Sequence, residues 1–186
     1  GAPAWKVARA GIARTYQTTQ LFSSLSVLDN VLTGLRRGRL GHPLAGPASR
    51  QQRGVAEGLL AFVGYRGALD ASAGSLPHVD RRLVEIARAL AQDVSVLIMD
   101  EPTSALSTAE AEILLRLIGD LTAQGVAVIY ISHKLDECLR IGDHFTVLRD
   151  GKLVAEAPAE EVTLDWIVEM MSGRSKASLF PRSVHE

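Results

Sequence analysis

Two short apolar runs, Val94–Met99 (VSVLIM) and Val126–Ile131 (VAVIYI), bracket a stretch with helical patterning. Both runs are continuous and rich in β-branched residues, as expected of parallel strands buried on both faces. Between them, Ser107–Gln124 carries Ile113, Leu114, Leu117, Ile118 and Leu121 at helical spacing. Ser107 with Glu110 three residues on reads as a capping box, and Gly125 stands where a helix ends. Strand, helix and strand together predict a right-handed βαβ unit, so the fold class is α/β with a parallel sheet.

The rest of the chain divides around this unit. Gly11–Gln17 reads as a strand ending in polar residues, and residues 21–92 as mostly helical with a break at Gly38–Gly54. Arg81–Gln92 is the clearest helix there, with Leu83, Ile86, Ala87, Leu90 and Ala91 as its apolar stripe. Downstream, Phe145–Arg149 and Lys152–Glu156 flank Asp150-Gly151, a strong hairpin signal. A helix over Leu164–Met171 carries Trp166, Ile167, Met170 and Met171 on one face, and the tail beyond Gly173 resembles a linker. The expected organisation is a residual core strand (1–17), a helical subdomain (18–92), an α/β core (93–173) and a tail (174–186).

Charge follows the same division. Residues 1–92 hold 12 Lys and Arg against 5 Asp and Glu, a balance of +7, whereas residues 93–186 hold 8 against 16, or −8. The net charge of −1 therefore conceals two halves that can face different partners. Aromatic residues at 5% are too sparse for a base-stacking platform, and no run approaches the ~18 apolar residues of a membrane span. The one cysteine, Cys138, excludes an internal disulfide and reads as a packing residue.

Two strand ends carry candidate chemistry, because ligands in open α/β sheets bind at the carboxyl ends of strands. Asp100-Glu101 ends the first apolar run. One carboxylate can serve Mg²⁺ while the other orients or deprotonates a water; alternatively the pair caps a helix or is simply solvated. Ser132-His133 ends the second run, where the imidazole can handle a proton, donate to a phosphate oxygen, or be structural.

The run IMDEPTSAL (Ile98–Leu106), followed 32 residues after Glu101 by His133 in YISHKLDE, resembles the nucleotide-binding domain of ABC transporters. The likeness extends from about Arg9 to Pro181. It implies a P-loop NTPase-like core with an inserted helical subdomain, and ATP and Mg²⁺ as cofactors. It further implies Asp100 serving Mg²⁺, Glu101 as catalytic base, His133 at the γ-phosphate and Ser104 in the D-loop. The segment ARTYQTTQLFSSLSVLDNV resembles the Q-loop region, with Gln17, rather than Gln20, as the glutamine that reaches Mg²⁺ or water.

Three departures stand beside the likeness. Ser107 replaces the usual aspartate of the D-loop, which weakens cross-talk between two cassettes while preserving a cap. The signature stands as Leu76-Pro77-His78-Val79-Asp80. Pro77 has neither a hydroxyl nor an N–H, and Asp80 brings a negative charge near the place of a phosphate, so the motif suits a helix start and makes a poor phosphate clamp. No G-x-x-x-x-G-K-[ST] occurs, so the cradle of backbone N–H groups and the phosphate-binding lysine are missing, as is the upstream aromatic that stacks on adenine. The expectation is a domain lacking its first portion, whose isolated chain binds ATP weakly.

The N-terminal part resembles ATPases of branched-chain amino-acid importers, and the part from MDEPTSALS onward the first cassette of monosaccharide importers. Either likeness implies an ATP-hydrolysing subunit of a bacterial uptake system on the cytoplasmic side of the inner membrane. Its partners would be transmembrane permease subunits and a second cassette. The competing reading is a degenerate cassette with a structural or regulatory role. A relative acting in DNA repair or translation would carry a coiled-coil insertion or a long basic linker; neither occurs, and no nucleic-acid partner is expected. Arg36, Arg37 and Arg39 form a short basic run that suits a solvated loop.

Overall fold

The computed structural model describes residues 1–35 and 48–173. The basic run at Arg36, Arg37 and Arg39 and the tail at 174–186 lie outside the described residues. In chain order the elements are α1 (Ala4–Arg9), β1 (Ile12–Thr15), α2 (Val27–Leu35), α3 (Arg50–Phe62), α4 (His78–Leu90), β2 (Val96–Asp100), α5 (Thr108–Ala123), β3 (Ala127–Ile131), α6 (Leu135–Ile141), β4 (His144–Arg149), β5 (Lys152–Pro158) and α7 (Leu164–Ser172). The contacts divide the chain into two compact units, Gly1–Ile131 and a second beginning at Ser132. That division falls elsewhere than the compositional boundary near residue 92.

In the first unit, β1, β2 and β3 form a parallel sheet in that order, with Thr15 beside Met99 and Asp100 beside Ile131. Register decides function here, because it brings the ends of β1 and β2 to the same sheet edge. The expected βαβ unit is present: Ser107 accepts from the Glu110 N–H, Glu110 reciprocates, and Gly125 takes the left-handed φ of 86° that ends a helix. Leu114, Leu117, Ile118 and Leu121 are buried along α5, while Ile113 is exposed.

Three expectations need correction. The strand run VAVIYI reads as buried on both faces, yet in β3 Ile129 is 50% and Ile131 45% exposed. The break expected at Gly38–Gly54 ends early, because Ser49 caps α3 through a capping box with Gln52 and the helix runs through Gly54. In α7, Ile167 is buried as expected, but Met171 turns outward and is 46% exposed.

The helical part of this unit packs α4 against α2 and α3. Val27, Val31, Leu60, Val84 and Ile86 are almost completely buried there. Gly34 marks the crossing of α2 over α4: a Cβ at that position would collide with the Arg88 carbonyl and lie 2.9 Å from the Ala91 Cβ. In the second unit, the β4–β5 hairpin turns at Asp150-Gly151, both at positive φ (54° and 73°), as a type I′ turn requires. Ala157, Val162 and Ile167 form its small core.

Because Arg88 O is backbone, it cannot move aside. Gly34→Ala should therefore cost about 1–3 kcal/mol by forcing the two helices apart. Urea unfolding of the variant measures this, and an unchanged midpoint would contradict the close crossing.

Candidate functional site

Asp100 is the last residue of β2, and its carboxylate accepts a 2.8 Å bond from the Arg14 guanidinium of the neighbouring strand. Sequence reasoning missed Arg14. Its signal was available, since alternate residues of paired strands share a face, and Arg14 stands opposite Ile98, two residues before Asp100. Glu101 follows in left-handed backbone, at φ 46°. A non-glycine residue there costs roughly 1–2 kcal/mol and persists only where its surroundings hold it. Those surroundings are visible: the Glu101 N–H donates to the Ile131 carbonyl at 2.8 Å, while its own carbonyl accepts from the Ser104 N–H and hydroxyl. Glu101 is thus turned off the strand direction at the sheet edge. Thr103 is fully buried beneath the turn, with its hydroxyl 3.4 Å from that of Tyr130.

Gln17 lies two residues beyond β1 and is exposed. The loop that carries it is held from below by α4. Arg82 donates to the carbonyls of Tyr16 (2.7 Å) and Gln17 (2.9 Å), and pairs with Glu85 at 2.7 Å. Glu85 in turn accepts from the Gln20 N–H at 3.1 Å. Both side chains are buried, 6% and 2% exposed. Neither was singled out in the sequence, although Arg82 stands one turn before Ile86 on the apolar stripe, where a solvated charge does not belong.

The signature-like residues start α4. Leu76 is buried, and Pro77 is the N-cap rather than the first helical residue, with no side-chain cap bond. His78 is exposed; Val79 and Asp80 are half-buried. Burial first, and then the Glu110 carboxylate, push the Asp80 carboxyl above its ordinary pKa. Glu110 itself is held below the usual range by its bonds from the Ser107 N–H and hydroxyl.

Three of the predicted motifs meet in one cleft of about 440 Å³. Gln17, Thr18 and Thr19 form one wall, His78, Arg81 and Arg82 a second, and Pro102, Ser104 and Leu106 a third. Asp100 and Glu101 stand together at the sheet edge but do not line this cleft. His133 belongs to the second unit, in the turn before α6 where the Lys134 N–H is held by the Ser132 hydroxyl. Cys138 is half-buried on α6.

The donor set suits the cofactors the motifs imply. Mg²⁺ commonly takes one or two carboxylates and fills its shell with phosphate oxygens and water, which a single edge carboxylate such as Asp100 satisfies. Among the described residues no three His, Cys, Asp or Glu gather into an all-protein cage.

Comparison with known proteins agrees with the family resemblance. Residues 2–104 match the ABC transporter family. Ribose import ATP-binding protein RbsA 3 of Rubrobacter xylanophilus is 44% identical over 94% of this chain and 34% of its own length. Xylose import ATP-binding protein XylG of Ralstonia nicotianae is 41% identical over 95% of this chain and 34% of its own. The ADP conformation of MJ1267, an ATP-binding cassette of an ABC transporter, superposes with a TM-score of 0.77 at 29% identity, covering 91% of this chain and 71% of that one. The chain belongs to the ABC transporter family, with the P-loop NTPase fold of its ATP-binding cassettes. It spans about a third of the length of these curated relatives.

Burial is the largest influence on Glu85 and raises its carboxyl above the ordinary 4.5, against the opposing pull of Arg82 and the Gln20 N–H. A carboxyl whose folded pKa exceeds its unfolded one takes up a proton on folding. Its favourable contribution is complete below 4.5 and is lost as pH rises through the folded value. Glu85→Gln removes that titration, so the variant should gain stability relative to the parent as pH climbs from 4.5 and level off above the raised pKa. Urea unfolding across a pH series reads the gap, and a gap independent of pH would contradict the assignment.

Proposed function

We propose that this chain is part of the ATP-hydrolysing cassette of a bacterial importer for a monosaccharide. The observation that carries the reading is the Asp100-Glu101 pair at the carboxyl end of β2, with Glu101 turned out of the strand into left-handed backbone. The relatives support it: those reported above are import ATP-binding proteins for ribose and xylose, which favours a sugar over a branched-chain amino acid.

In this reading Glu101 accepts the proton of the water that attacks the γ-phosphate, and Gln17 orients that water. His133 donates to a γ-phosphate oxygen, and Ser104 belongs to the turn facing a second cassette. Asp100 would hold Mg²⁺, whose charge would stabilise the phosphate oxygens. Arg14, 51% exposed, now occupies one oxygen of that carboxylate at 2.8 Å. The basic helical part suits the permease and the anionic inner leaflet, on the cytoplasmic side of the membrane. No helix among the described residues is long and apolar enough to cross a membrane.

A second reading, a cassette weakened in its contact with nucleotide held by the partner cassette, is favoured by α4. Its N-cap is Pro77, which offers no hydroxyl, and Asp80 follows in the first turn.

Glu101→Gln, in a protein that contains this chain and hydrolyses ATP, should lower kcat by about 10²–10⁴-fold while leaving ATP binding in place. Steady-state turnover and nucleotide titration measure the two. Unchanged turnover would remove Glu101 from the role of base.

A further inference from the structure

Residues paired across neighbouring strands point to the same face of a sheet, and alternate residues along a strand share that face. The registers of β1, β2 and β3 therefore put Ile12, Val96 and Ala127 on one face, followed by Arg14, Ile98 and Ile129, and then by Asp100 and Ile131. Arg14 and Asp100 are the only charged residues that these three strands place on it, and the rest of the face is aliphatic.

The two charges meet. Arg14 stands opposite Ile98, one step short of Asp100, and its Nη2 donates to the Asp100 Oδ2 at 2.8 Å. A second contact holds the same guanidinium, whose carbon lies 5.4 Å from the centre of the Tyr16 ring. A planar cation placed against an aromatic ring and bonded to a carboxylate keeps little rotamer freedom. Arg14 is thus fixed from two sides at the end of β2.

Charge decides what this contact does to a metal ion. A divalent cation at Asp100 takes up a carboxylate whose charge the guanidinium already balances, and it feels twice the repulsion from Arg14 that a monovalent ion would. Half of the Arg14 side chain is exposed, so water and salt screen that repulsion without abolishing it.

We propose that Arg14 is the counter-ion that sets the divalent-cation affinity of Asp100: the metal competes with the guanidinium for the carboxylate, and Tyr16 keeps the competitor in place. The sheet edge is then a weak metal site by itself and depends on phosphate oxygens to supply further negative charge. The inference rests on the proposed role of Asp100, yet its test needs neither nucleotide nor turnover.

Mn²⁺, a paramagnetic stand-in for Mg²⁺, provides that test in the full chain. Broadening of the Glu101 and Ile131 amide signals during an NMR titration reads metal bound beside Asp100, and Asp100→Asn should abolish it. Arg14→Gln removes the competing charge and should lower the half-saturating Mn²⁺ concentration by about 10-fold. Arg14→Lys retains the charge and should stay within about 3-fold of the parent. The gap between Arg14→Gln and the parent should shrink as ionic strength rises from about 0.01 to about 1 M, a dependence that a purely structural side chain would not show. Equal or weaker Mn²⁺ binding in Arg14→Gln would overturn the counter-ion and leave Asp100 as a ligand. Broadening that is absent throughout, or that survives Asp100→Asn, would sink the metal assignment of Asp100 and the inference with it.

Discussion

The Arg82–Glu85 pair is the interaction on which the candidate site depends. Removing two charges from water costs several kcal/mol per ion, and their attraction alone does not guarantee recovery of that cost. The balance improves because little bonding capacity is left idle. Arg82 bonds Glu85 and two carbonyls, and Glu85 accepts from Arg82 and from the Gln20 N–H. Those carbonyls and that N–H belong to a loop without regular secondary structure, so its backbone groups find their partners in these side chains. Each partner is thus costly alone, and together they fix both α4 and the loop.

The opposite wall of the site is built by strand register. With Asp100 beside Ile131, the chain leaving β2 meets a carbonyl that can take the Glu101 N–H, and the bond helps hold Glu101 at φ 46°. Ser104 closes the turn and Ser107 caps α5. Ser107 thus supplies the cap that α5 needs. One unit therefore contains a sheet edge with two carboxylates and a helix-borne loop with a glutamine, each held by separate bonds.

Much of this was legible in the sequence where a local rule operates. The βαβ unit followed from periodicity and from Ser107, Glu110 and Gly125, and the hairpin from Asp150-Gly151, because caps and turns are decided by neighbours in the chain. The ABC likeness was legible from the order and spacing of its motifs, and the family match agrees with it. Arg82 and Glu85 were hidden for the opposite reason: on a helix rich in arginine, charges read as solvated until a partner 65 residues away is seen to bury them. Arg14 was missed although strand alternation offered a signal, because its partner Asp100 becomes adjacent only once the pairing register of β1 and β2 is known. Ile129 and Ile131 show the converse error, where a pattern suited to burial on both faces is exposed on one.

A double-mutant cycle between Arg82 and Glu85, read by urea unfolding, tests the central claim most directly. Arg82→Met and Glu85→Met should each cost about 3–5 kcal/mol, because each strands a buried charge. The double variant, which strands none, should cost at least about 2 kcal/mol less than their sum. Losses that simply add would mean that the two side chains do not depend on each other, and would contradict the account of how the site is held.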